Sequence, residues 1–219
     1  MPIFIQKKIM SDINFLIWQI KEPENFFRSS FPWTETELAQ LIEVHPKRRL
    51  EYLASRYVLY TQTGTSGSPE FIKNEFGKLK FKEEGSFLSI SHSGEYTGYV
   101  IGPNEVGLDI QIFDFKVIRI LHKYLSTDEL EFLNLNFINQ EDLKVAATLC
   151  WCAKEAVYKA HGKRGIQFNK QINLELRMEQ NQLVIHSASL YLGNDIILHY
   201  AIYHQVEANF CYLVAAKDC

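Results

Sequence analysis

Residues 141–162 read EDLKVAATLCWCAKEAVYKAHG, a long run of good helix formers that ends in glycine. We expect one helix from position 141 to about position 161, ended by Gly162. An α-helix advances about 100° per residue, so Trp151, Glu155 and Tyr158 lie on the same face. That face therefore presents a carboxyl group among aromatic side chains.

Two lysines, Lys154 and Lys159, flank this glutamate. The plainest interpretation is a solvated helix face, in which Glu155 and Lys159 form an exposed i,i+4 pair worth about 0.3–0.5 kcal/mol. A functional interpretation needs a second chemical group from elsewhere in the chain.

Asp109 can supply that group, in the stretch EVGLDIQI at residues 105–112. Apolar and polar residues alternate here, which predicts a β-strand with one apolar face. The other face carries Asp109 and Gln111 side by side. More than forty residues separate Asp109 from Glu155, so only the tertiary fold can bring these acids together.

The rest of the sequence predicts further helices and strands. Thr34 and Thr36 are candidate caps for one helix, and Pro46 favours the start of a second, from Lys47 to about Tyr60. STDE at residues 126–129 resembles a capping box within a helix-rich segment over residues 113–137. Alternating or β-rich patterns predict strands in the ranges 78–81, 87–91, 98–112 with a turn at 102–104, 172–176, 183–188, 196–204 and 211–215.

The order of these elements is helix then strands, and again helix then strands, which indicates an α+β protein of two similar halves. We place the N-terminal half at residues 1–104 and the C-terminal half at residues 105–219. The Gly/Ser/Pro-rich stretch TGTSGSPE at residues 63–70 predicts a loop inside the first half.

Composition argues against several classes of protein. With 219 residues, 47% of them apolar, the chain can bury a large core, and a net charge of −3 gives no basic field for nucleic acid. Asn14–Ile20 is too short to cross a membrane, so we expect a cytoplasmic protein. Cys150 and Cys152 should pack inside a helix, since no second Cys or His pair has the spacing of a zinc finger. Walker, G-x-G-x-x-G and H-E-x-x-H motifs are absent from the sequence.

Two polar groups precede the strand of Asp109. SHSG at residues 91–94 is predicted to end a strand in a turn, where hydroxyl, imidazole and backbone N–H groups suit phosphate oxygens. A plain turn is the simpler alternative, and a Ser/His nucleophilic pair is a weaker one, because no G-x-S-x-G elbow is present. The second group is basic and suits phosphate, although a solvated charged face would look the same. Its members are Lys47, Arg48, Arg49, Arg56, Lys78 and Lys80.

Taken in order, these motifs resemble those of the Sfp-type 4′-phosphopantetheinyl transferases. The most specific is W-x-x-K-E-A-x-x-K, about forty residues after a G-[IL]-D-[IV] strand. Together the matching stretches span about half of the chain. They are KRRLEYLASRYVL (47–59), FGKLKF (76–81), LSISHSGEY (88–96), VGLDIQ (106–111), LSTDE (125–129) and WCAKEAVYKAHGKRG (151–165).

The resemblance implies a pseudodimer of two α+β halves, with the active site in the cleft between them. On this basis we expect Asp109 and Glu155 to lie in a solvent-filled cleft and not in the core. It implies an enzyme of the holo-[acyl-carrier-protein] synthase type. Such an enzyme transfers the 4′-phosphopantetheine arm of coenzyme A to a serine of an apo acyl or peptidyl carrier protein and releases adenosine 3′,5′-bisphosphate. Mg²⁺ would be held by Asp109, Gln111 and Glu155, while Lys159 would contact the phosphates. The base that takes the serine proton is Glu155 or a water on the metal, and His92 is a further catalytic candidate.

The resemblance also implies coenzyme A ligands in the first half. Ser91 and His92 match positions that hold the phosphates, and Lys78 matches a lysine near the nucleotide. A helix arginine matches a position near the 3′-phosphate: we prefer Arg49, with Arg48 and Arg56 as alternatives.

Two departures from the family pattern affect these expectations. The family's D-x-E reads Asp109-Ile110-Gln111 here, and its G-K-P reads Gly77-Lys78-Leu79. A glutamine carbonyl or a water can still complete a magnesium octahedron, so we expect retained activity with weaker metal affinity. One alternative is a non-catalytic coenzyme A or carrier-protein binding protein with a degenerate metal site. Another is an unrelated two-lobed α+β structural domain. We expect a monomer, with neither nucleic acid nor membrane as a partner.

Overall fold

The computed structural model describes residues 3–10, 12–64, 71–82 and 85–218. Helices and antiparallel sheets are both present, so the predicted α+β class is confirmed. The chain divides into two compact units, Met1–Pro103 and Asn104–Cys219. Of the loop predicted at residues 63–70, the part from residue 65 onward lies outside the described residues.

The first unit carries a sheet with the strand order β1-β2-β6-β5 and a separate β3-β4 pair, all antiparallel. Its strands are β1 (Ile3–Ile9), β2 (Ile13–Gln19), β3 (Phe71–Lys73), β4 (Leu79–Phe81), β5 (Phe87–Ser93) and β6 (Tyr96–Gly102). Its helices are α1 (Glu24–Ser29), α2 (Glu35–Ala39) and α3 (Pro46–Thr63).

Local sequence explains where α2 and α3 of this unit begin. Thr34 caps α2 in a capping box with Glu37, as the threonine predicted. Pro46 opens α3, where its missing N–H costs nothing, and Gly64 ends the helix with a φ of 70°. α3 then packs on the sheet through a core that includes Leu16, Trp18, Phe27, Leu53, Leu59 and Leu88.

The second unit carries one antiparallel sheet with the strand order β7-β11-β10-β9-β8. Its strands are β7 (Val106–Ile112), β8 (Ile172–Glu179), β9 (Gln182–Leu192), β10 (Ile196–Val206) and β11 (Phe210–Lys217). Its helices are a 3₁₀ helix (Phe115–Ile120), α4 (Leu121–Tyr124), α5 (Thr127–Asn136), α6 (Gln140–His161) and α7 (Phe168–Gln171).

Helix α6 organises this unit. It begins after the Asn139 cap and ends at Gly162, whose φ is 70°, within a residue of the predicted bounds. The Ser126–Glu129 capping box that starts α5 is likewise confirmed. Cys150 and Cys152 are buried free thiols in α6, as expected. The core between α6 and the sheet includes Leu149, Ala153, Val157, Leu190, Leu213 and Ala215.

The structure also contains elements that the sequence patterns did not predict. β1, β2, α1 and β3 were not expected, and residues 115–124 form a 3₁₀ helix and a single α-turn instead of a longer helix. Among the helices of the described residues, none is long and apolar enough to cross a membrane.

Candidate active site

A close contact between α6 and β7 forms the candidate site of the second unit. Gly107 lies so near the helix that a β-carbon on it would overlap the carbonyl oxygen of Ala156. Two residues further along β7, the thiol of Cys152 donates a hydrogen bond to the backbone oxygen of Asp109 at 3.3 Å. The polar face of β7 therefore faces α6.

This contact changes the expected environment of Asp109. We expected its side chain in a solvent-filled cleft, but Asp109 is only 2% exposed. The prediction was wrong because α6 covers the polar face of the strand. Lys159 Nζ donates to Asp109 Oδ1 at 2.6 Å, and Gln111 Nε2 donates to Oδ2 at 2.8 Å. Both oxygens of the buried carboxylate are thus hydrogen-bonded, as burial of a charged group requires.

Lys159 is therefore not simply part of a solvated helix face. Besides its ion pair with Asp109, it donates to the backbone oxygen of Leu108 at 3.1 Å, and 28% of its side chain remains exposed. The ammonium group is consequently fixed beside the carboxylate, at the end of a side chain that is partly exposed.

Glu155 lies in the same electrostatic environment. Burial raises the pKa of its carboxyl group to about 7, the negative charge of Asp109 adds to this rise, and Lys159 opposes it. The geometry agrees, because Glu155 stands one helical turn before Lys159, whose ammonium group is bonded to Asp109. The structure thus brings together four predicted residues of this unit: Asp109, Gln111, Glu155 and Lys159.

These residues fit a magnesium ion. Two carboxylates and an amide oxygen are hard oxygen ligands of the kind Mg²⁺ prefers, and a divalent cation would relieve the repulsion that raises the pKa of Glu155. Gln111 now directs Nε2 towards Asp109, and a half-turn of its amide would direct the oxygen there instead. Within the described ranges, no three His, Cys, Asp or Glu side chains are grouped to hold a metal. Gln111, water or a ligand's oxygens would have to complete the set.

In the first unit, the SHSG motif is more regular than predicted. β5 continues through Ser93 and pairs with β6, so Ser91 and His92 lie in the ladder and not in an open turn. The turn follows at Gly94, which has a φ of 60°. His92 Nδ1 lies 3.4 Å from Glu51 Oε2 of α3, and 48% of the His92 side chain is exposed. The histidine is therefore accessible to a ligand while the Glu51 carboxylate stands beside one of its ring nitrogens.

The helix arginines differ in their partners. Arg49 Nε donates to Glu24 Oε1 at 2.7 Å, and its Nη1 donates to the backbone oxygen of Val44 at 3.2 Å. Arg56 lies over the ring of Tyr52, 5.1 Å from its centroid. Arg48 is exposed, and this makes it the arginine of α3 most accessible to a ligand phosphate.

Lys78 lies in a tight turn before β4. The side-chain oxygen of Asn74 accepts a hydrogen bond from the Lys78 backbone N–H at 2.8 Å, and Gly77 in this turn has a φ of 87°. The glycine and the asparagine thus shape the turn without the proline of the family pattern.

One member of the W-x-x-K-E-A-x-x-K motif has an unexpected place. Lys154 is fully buried and bonded to Glu129, although we expected it to flank Glu155 on the helix surface. No local pattern indicates this pairing, because the partner stands 25 residues away. The capping-box pattern predicted only that Glu129 lies in the first turn of a helix.

Part of the chain is similar in sequence to known proteins. Residues 105–211 match a family model described as "4'-phosphopantetheinyl transferase superfamily". The chain is also 26% identical over 147 residues to a Haemophilus influenzae protein named "Putative 4'-phosphopantetheinyl transferase". That alignment covers 64% of this chain and 59% of the relative, so the chain spans about three fifths of the relative's length. The part of the chain that carries Asp109, Glu155 and Lys159 is thus similar to the 4′-phosphopantetheinyl transferase superfamily, the family that the sequence motifs predicted.

Proposed function

We propose that this protein transfers the 4′-phosphopantetheine arm of coenzyme A to a serine of an apo acyl or peptidyl carrier protein, with Mg²⁺ as its metal. The observation that carries the proposal is the grouping of Asp109, Gln111, Glu155 and Lys159 where α6 meets β7. This grouping lies inside residues 105–211, the range that matches the superfamily.

In the proposed reaction, the carrier serine hydroxyl forms a bond to the β-phosphorus of coenzyme A. The bond from that phosphorus to the bridging oxygen breaks, and adenosine 3′,5′-bisphosphate leaves with the electron pair. Asp109, Glu155 and Gln111 would hold Mg²⁺, which supplies charge neutralisation for the pyrophosphate. The exposed part of Lys159 can add a fixed positive charge for the phosphate oxygens.

Glu155 is our candidate for the base that accepts the serine proton. A general base must lie close to the proton that it accepts, and Glu155 stands one helical turn before Lys159, our candidate contact for the phosphates. A water molecule is the alternative acceptor. His92 of the first unit is a further candidate by the motif resemblance, and its exposed imidazole can donate a hydrogen bond to a phosphate oxygen.

The coenzyme A ligands of the first unit rest on the motif resemblance together with side-chain accessibility. We propose Ser91, His92 and Lys78 for the phosphates, and Arg48 for the 3′-phosphate, since Arg49 is held by Glu24. Arg56 stays a third candidate. Three further expectations also stay predictions: the two units are similar halves of a pseudodimer, the protein is a monomer, and it works in the cytoplasm.

A direct test incubates the protein with coenzyme A, MgCl₂ and an apo carrier protein, and then weighs the intact carrier by mass spectrometry. We expect the mass of one phosphopantetheine group to be added. A carrier whose acceptor serine is replaced by alanine, and a reaction with EDTA, serve as controls. Retained coenzyme A binding with no mass gain, over a panel of acyl and peptidyl carriers, would favour the non-catalytic binding protein. Neither binding nor transfer would favour an unrelated structural domain.

A further inference from the structure

The ammonium group of Lys154 is buried inside the second unit. Its side chain has no exposed area, although lysine is almost never fully buried unless it is paired. Nζ donates to Glu129 Oε2 at 2.6 Å, to the backbone oxygen of Ile172 at 2.7 Å and to that of Phe168 at 3.2 Å. An ammonium group has three N–H donors, so none remains for a ligand.

Glu129 extends this network to two other elements. Its Oε1 accepts from the Leu174 N–H of β8 at 2.8 Å, and its Oε2 accepts from the Ser126 N–H at the start of α5 at 2.8 Å. Burial lowers the pKa of Lys154, and the Glu129 carboxylate opposes this change. The pair therefore ties α5, α6 and the residues that begin β8 to one point in the core.

Phe168, one of the residues whose backbone Lys154 holds, packs on the face of α6 that carries Glu155. Its ring centroid lies 5.8 Å from that of Trp151 and 5.4 Å from that of Tyr158. Because Trp151 and Tyr158 are seven positions apart, they lie within about 20° of each other around the helix. At 100° per residue, Lys154 and Glu155 lie on opposite sides of the line that joins Trp151 and Tyr158 along the helix.

Two further side chains of this segment make hydrogen bonds at the surface. Asn169 donates to the backbone oxygen of His122 at 3.1 Å, and Gln171 donates to that of Tyr191 at 3.1 Å. Exposed hydrogen bonds compete with water and hold a backbone weakly. The buried ammonium group is therefore the strongest polar side-chain restraint on residues 168–172 among the bonds that the structure describes.

We propose that Lys154 is a positioning residue: it holds residues 168–172 on α6 so that Phe168 packs against Trp151 and Tyr158, the two aromatic neighbours of Glu155 on its helix face, and it does not bind coenzyme A. The role in transfer rests on the proposed function, whereas the tether itself does not. The second lysine of the motif, Lys159, has the opposite character, since it is partly exposed beside Asp109.

The test compares Lys154→Met with the double variant Lys154→Met/Glu129→Gln, in which no unpaired charge is left in the core. Glutamine keeps one acceptor oxygen for the capping box, but its NH₂ group would face the Leu174 N–H that Oε1 now accepts from. The double variant should therefore regain part of the thermal stability lost by Lys154→Met. Phe168→Ala removes the aromatic ring that packs on Trp151 and Tyr158 and leaves the Lys154–Glu129 ion pair intact. For each variant we would measure thermal stability, hydrogen exchange of the peptide over residues 168–174, and kcat and KM for coenzyme A.

We expect faster exchange at residues 168–174 in both Lys154 variants. In the double variant and in Phe168→Ala, kcat should fall by about 10- to 100-fold, as small misplacements of a catalytic group do, while KM for coenzyme A stays within about two-fold of the wild-type value. Full recovery of kcat with recovered stability would mean that Lys154 has only a structural role. A raised KM with unchanged kcat would mean that it binds coenzyme A. If the wild type transfers nothing, the proposed function fails, and the exchange measurement still decides whether the tether exists.

Discussion

Gly107 of β7 lies directly beneath the backbone of Ala160 of α6, so that a β-carbon on the glycine would stand 2.6 Å from the Ala160 nitrogen. Real β-carbons do not approach backbone atoms so closely. The absent side chain lets strand and helix touch, and it sets Asp109, two residues along the strand, next to Lys159, one residue before Ala160.

Gly107→Ala should therefore destabilise the protein. Overpacking against a backbone that cannot yield costs about 1–3 kcal/mol, occasionally more. Urea denaturation monitored by circular dichroism measures the free energy of unfolding. Gly193→Ala is the matched control, because a β-carbon there meets nothing within 4 Å, and we expect a change within about 0.5 kcal/mol. If the two substitutions lowered the free energy of unfolding equally, the close contact between Gly107 and α6 would be contradicted.

Gln111→Glu should tighten Mg²⁺ binding. The new carboxylate would stand where Gln111 now donates to Asp109, and a unit charge within a few Å of the ion contributes on the order of 1 kcal/mol even in a water-like dielectric. We expect the Mg²⁺ midpoint of carrier modification to fall about five- to ten-fold by the same arithmetic, with little change in turnover at saturating metal. In the metal-free variant, repulsion among three acids should lower thermal stability. An unchanged metal midpoint would mean that Gln111 does not face the ion.

The raised pKa of Glu155 predicts a pH dependence of stability in the metal-free protein. Between its ordinary value of 4.5 and about 7, the folded state holds the Glu155 proton more tightly than the unfolded state. The free energy of unfolding should therefore fall as pH rises through this window, by at most about 1.4 kcal/mol for each pKa unit of the shift. Denaturation at pH 5, 6 and 7.5, with EDTA present, measures the slope.

Glu155→Gln is the control for this pH dependence. The glutamine side chain cannot ionise, so the variant should lose the part of the pH dependence that comes from Glu155 and keep the part that comes from other groups. Added Mg²⁺ should flatten the wild-type slope, because a bound cation favours the ionised carboxylate. If Glu155→Gln kept the wild-type dependence of unfolding free energy on pH, Glu155 would not be the group that titrates.

Arg48 and Arg49 should differ in their effects on ligand binding. Arg48→Ala should weaken coenzyme A more than 3′-dephospho-coenzyme A, by about 1.5–3 kcal/mol for one charge-assisted contact. Arg49→Ala should instead lower thermal stability, because Glu24 loses a partner, and should affect both ligands equally. Calorimetric titration with the two ligands measures both affinities. If only Arg49→Ala weakened coenzyme A selectively, Arg49 and not Arg48 would be the residue that binds the 3′-phosphate.

Much of the fold follows from local sequence. The caps at Thr34 and Ser126, the proline that opens α3 and the glycine that ends α6 are each a short pattern with a steric or hydrogen-bonding cause. The hairpin of β1 and β2 was missed because no glycine or Asn-Gly pair marks its connection, which passes through Met10 at a φ of 46°. α1 was missed because it is short and has no side-chain cap.

The sequence indicated which candidate residues lie together, but not what surrounds them. The motif spacing singled out Asp109, Glu155 and Lys159, and the fold groups them. The alternation along β7 predicted a polar face correctly, but it carries no information about what covers that face. The burial of Asp109 and the pairing of Lys154 with Glu129 both depend on elements distant in sequence.

The most direct measurement is carrier modification at saturating Mg²⁺ by Asp109→Asn and Glu155→Gln, followed by intact mass spectrometry. Both substitutions keep the size of the side chain, and the amide oxygen introduced by Asp109→Asn can still accept a hydrogen bond from Lys159, so circular dichroism should show folded proteins. We predict that each variant loses most of the transfer activity while the wild type converts the carrier completely. Near-wild-type turnover by either folded variant would contradict the assignment of Asp109 and Glu155 as the acids that hold the metal and support transfer.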